Sequence, residues 1–502
     1  MPIQQSASVP PLTPTPLPEA ERGKLNIRAW LSLYLVVAVW LAFTKLFTLH
    51  TADSLIYSLG SLDHWTPFFW EQDRVGMLVP LVTMPLRHPL ANLLLQTVLM
   101  TFCGLSLPLL LARLLNPTTA GAIATVVSNV LFIALAPALL HENQFIVCMY
   151  PVGLCLGVSA LIVLNRDDDS LSFRRASWLH VVISLVLMTL GMWTYLGIVV
   201  ILLPLACLRF LTTRRFSGIL VTLVSFAVGF ALMKFVNNLP PYDVPTSNES
   251  LPWREWPAAW AMLLFRIREQ PGGNDWLFSV VIVVGIGLLA VVVRRPRRRD
   301  MIAIAILLIV AGVEVGFCGT RKWISHNIHH PRYIIFAITA VPLAAAMLLT
   351  SVSCRCRMRS CWLCGLALIG LFGTGSWRYG LPAITQPRQI SQHQFCQYSS
   401  AVRNSDCPVM GAKYWDLWTT YFWLRLEAYE SGGTAPIPIG WRTWEYRHDW
   451  SDLAKSGPFR VAVPKGAYDE LNLESVRRGL DPLKKVGETE TLEIYETRPF
   501  KR

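Results

Sequence analysis

The chain has 502 residues, 53% of them hydrophobic and only 15% charged, with a mean hydropathy of +0.42. Soluble domains carry about 25% charged residues, so this composition excludes an ordinary water-soluble protein. The formal charge of +13 does not indicate a nucleic-acid partner, because the basic residues sit in short runs beside apolar stretches, where they act as orientation signals.

Residues 1–28 open with six prolines among the first twenty positions and lack the charged start and short apolar core of a cleavable signal. They read as a disordered cytoplasmic tail. Apolar stretches follow at Ala29 to Leu49, Leu90 to Leu111, Thr119 to Leu140, Phe145 to Leu164, Phe216 to Phe235, Trp276 to Val293, Met301 to Phe317, Tyr333 to Thr350 and Cys361 to Gly375. Each approaches the roughly 20 residues that a helix needs to cross a bilayer. The run from Trp178 to Phe210 is too long for one crossing, and the glycines of Gly191-Met-Trp-Thr-Tyr-Leu-Gly197 predict a turn that divides it in two. The expected fold is therefore a polytopic all-α bundle of about eleven transmembrane helices over 29–376.

Charge sets the expected orientation. Basic residues cluster at Arg22 to Arg28, Arg113, Arg166 to Arg175, Arg209 to Arg215, Arg294 to Arg299 and Arg355 to Arg359, on alternate connections. Positive-inside bias puts these in the cytoplasm, with the N-terminus in and the C-terminus out. That leaves loops 51–89, 236–275 and 318–332 outside, together with a small α/β domain over 377–502. This domain carries a helix-like stretch at Lys413 to Tyr429, strand-like runs PIPIG, FRVAV and TLEIYE, and a second helix near Tyr468 to Arg478. In the middle outer loop, Trp256, Trp260, Leu263 and Leu264 at helical spacing predict an amphipathic helix on the outer leaflet.

The chemistry-bearing residues gather on this outer side. Asp53 follows the first span directly, where partial desolvation favours proton acceptance, as a general base needs. Asp73 and Arg74 add a second acid beside a cation. Arg321, Lys322, His326, His330 and Arg332 crowd one short loop and suit an anionic phosphate, or equally the head groups of membrane lipids. Glu314 is an acid inside a span, where it needs either a polar cavity or a helix-packing partner. An oxidising outer compartment would permit a disulfide between Cys396 and Cys407.

Asp53, the Asp73-Arg74-x-Gly76 element, the Tyr195 turn, Arg332-Tyr333 opening a late span, and Tyr414-Trp415 with Ser431-Gly-Gly433 together resemble the GT-C membrane glycosyltransferases, in particular bacterial GtrII-like families. The resemblance implies transfer of a sugar from a polyprenyl-phosphate donor to a cell-surface glycan or lipid acceptor, at the outer face of a bacterial inner membrane. It implies Asp53 and then Asp73 as the catalytic acids and leaves a divalent metal open, since Asp53 is followed by Ser54 rather than by a second acid. The rivals are an O-antigen ligase or polymerase, a transporter and a non-catalytic membrane protein. No internal repeat supports transport.

Overall fold

A computed structural model describes residues 27–66, 76–147, 149–164, 175–213, 216–237, 249–293, 298–327, 329–353, 360–443, 446–455, 457–477 and 480–498. Residues 1–26 of the expected tail and the Asp73-Arg74 element lie outside these residues, while Ile27 and Arg28 already belong to the Ile27–Ala42 helix. Each apolar stretch falls on a helix of a single bundle. Among the described residues four helices are long and apolar enough to cross a membrane: Pro89–Leu115, Leu196–Thr213, Arg298–Gly319 and Pro331–Thr350, or up to five if a bent pair counts as one. Ile27–Ala42, Ala120–Leu135, Trp178–Thr194, Ser217–Leu232 and Gly273–Ile286 are apolar but shorter. Large apolar side chains such as Phe278, Val281, Leu289 and Ile369 stand exposed on the bundle, an arrangement that suits lipid rather than water.

One break differs from the sequence expectation and another falls where the sequence predicts it. The stretch Thr119 to Leu140 is cut by Pro137: one helix ends at Leu135, and a separate polar helix, Ala138–Phe145, begins after it. Proline cannot donate the hydrogen bond that would continue the first helix. The division expected within Gly191–Gly197 is present at the Tyr195 turn, between Arg175–Thr194 and a 3-10 turn at Leu196–Ile198. Gly191 itself stays helical and serves packing. A Cβ there would lie 2.8 Å from the carbonyl oxygen of Gly153, so the two helices cross at a paired glycine contact.

Beyond the bundle, the Ser360–Tyr379 helix ends ahead of Gly380, whose φ of +77° suits a residue without a Cβ. The predicted strands form as β2 (Ile437–Ile439), β3 (Phe459–Pro464) and β5 (Leu492–Thr497), joined by β1 (Val409–Gly411) and β4 (Lys484–Glu488). The sheet order is β2-β1-β3-β5-β4. β1 pairs in parallel with β2 and β3, and β5 pairs antiparallel with β3 and β4. The Tyr414–Ser431 helix makes the parallel crossover from β1 to β2 and stops at Gly432, φ +70°. Cys396 and Cys407 are free thiols rather than a disulfide, and Cys407 is buried with its thiol against the Ser405 carbonyl at 3.5 Å.

The element that matters most is the Ala52–Leu62 helix in the first loop. Its N-terminus is closed by a capping box between Thr51 and Ser54. Leu55, Ile56 and Leu59 join Leu417, Trp418 and Phe422 of the crossover helix in one buried cluster. The loop helix and the C-terminal domain therefore share a hydrophobic core and fold against each other. Below it, a polar network holds the helix to the Pro89–Leu115 span. Asn92 accepts from Ser58 at 3.0 Å and donates to Thr83 O at 2.9 Å, while Gln96 donates to Tyr57 O at 3.3 Å. His50 bridges Ser54 at 2.9 Å and Thr97 at 2.8 Å.

Candidate active site

Every residue of the Ala52–Leu62 helix is buried except Asp53. The helix is thus a fixed platform with one reactive group left partly open, in the first turn, where the helix dipole favours a carboxylate. Arg332 Nη1 reaches Asp53 Oδ2 at 3.1 Å, and Arg442 Nη1 reaches Oδ1 at 3.1 Å. The Tyr414 hydroxyl donates to Oδ1 as well, and Arg442 Nη1 also donates to the Tyr414 oxygen. These partners come from positions 279, 361 and 389 residues away. Three segments, from the first loop, the 318–332 loop and the C-terminal domain, therefore meet at one carboxylate. The contacts place Asp53, the Arg332 loop and the C-terminal domain on one side of the bundle.

Arg332 is itself held in place. Its Nη2 donates to Asn327 Oδ1 at 3.3 Å and to the Tyr333 hydroxyl at 3.2 Å. Its backbone N–H donates to His330 Nδ1 at 3.3 Å, which caps the 3-10 turn at Pro331–Ile334. Burial, with Arg332 adding to it, pushes His330 down to about 4, so the ring is a neutral acceptor at physiological pH. Behind Tyr333 the rings continue through Tyr150, 6.4 Å away, to Tyr195, 3.9 Å further on. The Tyr195 turn thus packs into the floor beneath Arg332.

The other predicted residues divide. Lys322 pairs with Glu249, and Arg321 donates to Ser250 Oγ at 3.2 Å while stacking 3.8 Å from the Phe317 ring. A bridge between Ser250 and Arg321 ties these two loops together, so this part of the basic loop fastens 318–332 to 249–251. His326 ends the short Lys322–His326 helix. Glu314 accepts the backbone N–H groups of Phe336 at 3.1 Å and Ala337 at 2.6 Å. It caps the start of the Ile335–Ser353 helix and so takes the packing role that the sequence left open beside the functional one.

Two residues with site contacts had no local signal in the sequence. Arg442 lies in an unremarkable turn. Glu142 stands in the polar run His141-Glu-Asn-Gln between two apolar stretches, and Thr51 Oγ1 donates to its Oε1 at 3.4 Å. It puts a second acid beside Asp53. Asp63, at the other end of the same helix, accepts from Arg425 Nε at 2.8 Å, Tyr421 at 3.0 Å and Tyr446 at 2.9 Å. Among the described residues no group of three or more His, Cys, Asp or Glu side chains gathers at metal-binding distance.

No family model matches the chain, and no curated protein matches it in sequence. Among solved structures, it is similar to ArnT from Cupriavidus metallidurans bound to undecaprenyl phosphate, at 14% identity and a TM-score of 0.54, covering 93% of this chain and 98% of that one. The apo form of the same ArnT gives a TM-score of 0.39 at 14% identity, covering 94% and 98%. The archaeal oligosaccharyltransferase AglB from Archaeoglobus fulgidus gives 0.38 at 11% identity, covering 87% and 70%. The likeness to the first of these extends over nearly the whole of both chains, so the protein shares its overall fold, which is similar to the GT-C fold expected from the sequence.

Proposed function

We propose that the protein is a polyprenyl-phosphate-dependent membrane glycosyltransferase. It moves a sugar from the lipid-phosphate carrier to a hydroxyl of a cell-surface glycan or lipid, on the outer face of a bacterial inner membrane. The observation that carries this reading is the convergence of Arg332, Tyr414 and Arg442 on Asp53, the one open residue of a buried helix. The undecaprenyl phosphate bound by ArnT, which shares the fold, is the carrier class that the reading takes for this chain.

The chemistry follows from the charges. The acceptor oxygen bonds to the anomeric carbon of the donor as the bond from that carbon to the phosphate oxygen breaks. The acceptor proton passes to a carboxylate, and the departing phosphate keeps the electron pair. Asp53 supplies the proton acceptor, with Glu142 as the second carboxylate within reach of Thr51. Arg332 and Arg442, already placed by Asp53, supply forked donors for the growing phosphate charge. In the free protein they neutralise Asp53. On donor binding the phosphate competes for them and leaves the carboxylate free to take a proton. Asp73 and Arg74 stay in this reading as a second acid and cation from the same loop. Lys322 and Arg321 serve it by fastening the loop, Glu314 serves it by capping a helix start, and His326 stays in this reading as a candidate for the donor phosphate.

Asp53→Asn tests this directly. With the purified protein and a polyprenyl-phosphate sugar, transfer falls by about 10²–10⁴-fold while undecaprenyl phosphate still binds. Undiminished transfer by the variant would remove Asp53 from the chemistry. Flux of substrate into proteoliposomes without any sugar transfer would point to transport instead.

A further inference from the structure

At the edge of the Asp53 site, after β2, the chain makes a tight turn over residues 440–443. Thr443 staples it: its hydroxyl donates to the Gly440 carbonyl at 2.8 Å and accepts the Gly440 N–H at 3.1 Å, both in the buried interior. Arg442 adopts a left-handed backbone, φ +66°, a conformation rare and costly for a side chain of that length. Under this constraint the two neighbouring side chains take different environments. Arg442 is buried against Asp53, while Trp441 remains 46% exposed. The Arg442 guanidinium lies 4.8 Å from the Tyr414 ring and 5.1 Å from the Trp441 ring. Trp441 and Tyr414 are 5.2 Å apart, and Trp415, 56% exposed, meets Tyr414 nearly edge-on at 5.1 Å.

Hiding an indole is among the largest gains a side chain can make. Here a strained, stapled turn instead holds one outward, a single ring away from the carboxylate. The electron-rich face of an indole attracts partly positive C–H edges. A pyranose offers such an edge on one face and hydroxyls around its rim, which the neighbouring guanidinium can orient. We propose that Trp441, with Trp415 across Tyr414, forms a stacking platform for a pyranose ring of the acceptor, holding one of its hydroxyls toward Asp53. This inference rests on the transferase reading and narrows the acceptor to a glycan, or to a lipid that bears a sugar. In that reading the donor phosphate engages the buried guanidiniums of Arg332 and Arg442, which leaves the more exposed rings of Trp441 and Trp415 for the acceptor.

The test uses the full-length protein in lipid nanodiscs, with an array of methyl pyranosides and pyranose disaccharides as acceptor probes and undecaprenyl phosphate as the donor-side probe. Wild type binds a subset of the saccharides. Trp441→Leu, apolar but not aromatic, lowers that affinity by about tenfold, the size of one aromatic contact. Trp441→Phe retains most of it, and both variants bind undecaprenyl phosphate as wild type does. Asp53→Asn keeps saccharide binding while losing transfer, so failure of the platform and failure of the transferase reading are separate results. Absence of saccharide binding by wild type would overturn the proposal, as would equal saccharide affinity in Trp441→Leu. Loss of undecaprenyl phosphate binding rather than saccharide binding in Trp441→Leu would put the ring on the donor and overturn the acceptor assignment.

Discussion

Asp53 and Asp63 sit at opposite ends of one helix, and each carries guanidinium and tyrosine partners, yet their surroundings differ. The partners found for Asp63, Tyr421, Arg425 and Tyr446, all come from the C-terminal domain, and its side chain is 7% exposed. Asp53 is 16% exposed and draws its partners from both the bundle loop and the C-terminal domain. The helix dipole opposes a carboxylate at the Asp63 end and supports one at the Asp53 end. Among the described residues one arginine, Arg425, pairs with the Asp63 carboxylate while Arg87 caps the Leu62 carbonyl beside it, whereas two arginines pair with Asp53 itself. One carboxylate is a latch between two parts of the fold. The other is a partly exposed meeting point of the bundle loop and the C-terminal domain, with two guanidinium partners.

That contrast can be broken in order of effect. Arg442→Ala should lower transfer by about 10²–10³-fold, as expected for losing a preorganised donor at developing charge. Arg442→Gly should do the same with a higher thermal midpoint than Arg442→Ala, because glycine relieves the left-handed strain that alanine keeps. If either variant transfers normally, the second arginine belongs to folding alone. Asp63→Asn should instead cost about 2 kcal/mol of stability, since buried donors lose a charged acceptor. It should speed proteolysis around residues 380–385 and spare the affinity for undecaprenyl phosphate. A variant that kept its stability and lost donor binding would exchange the two roles.

Histidine titration sharpens the same comparison. Burial pushes His50 down to about 3 and His330 to about 4, against an ordinary value near 6.5. Their folded values are depressed, so the unfolded chain binds more protons between those values and 6.5. Stability is then full above about pH 6.5 and declines as pH falls toward the folded values. At pH 5 each histidine costs about 2 kcal/mol. A melting series from pH 7.5 to 5 checks this, and His50→Gln should flatten the decline. The smallest effect is expected at Lys322, whose partner Glu249 is exposed. Lys322→Ala should leave undecaprenyl phosphate affinity within about twofold, as exposed pairs contribute little.

The legible part of this molecule is the part that local patterns encode. Apolar runs placed the helices, and the sequence singled out Asp53 after the first span and Arg332 before a late one, though as an acid and a phosphate ligand rather than as the ion pair they form. Alternating hydrophobicity located β2, β3 and β5. What stayed hidden depends on contacts between distant segments. Arg442 reaches Asp53 only because a turn takes a left-handed residue that no glycine announces. Arg321 and Lys322 look identical to Arg332 in a basic loop, and only the pairing of 249–251 with that loop shows that they are engaged there. Glu314 reads as a costly intramembrane acid until the amides of Phe336 and Ala337 satisfy it. Gly191 carries the same letter whether it turns a chain or lets another helix approach.

The central claim is that Asp53 and the C-terminal domain work in one aqueous compartment. Cysteines placed singly at Asp53 and at Lys413, in a cysteine-free background and in oriented membranes, measure this with an impermeant maleimide. Both positions should react from the outer side and neither from the cytoplasmic side. Labelling of the two positions from opposite sides would contradict the site itself.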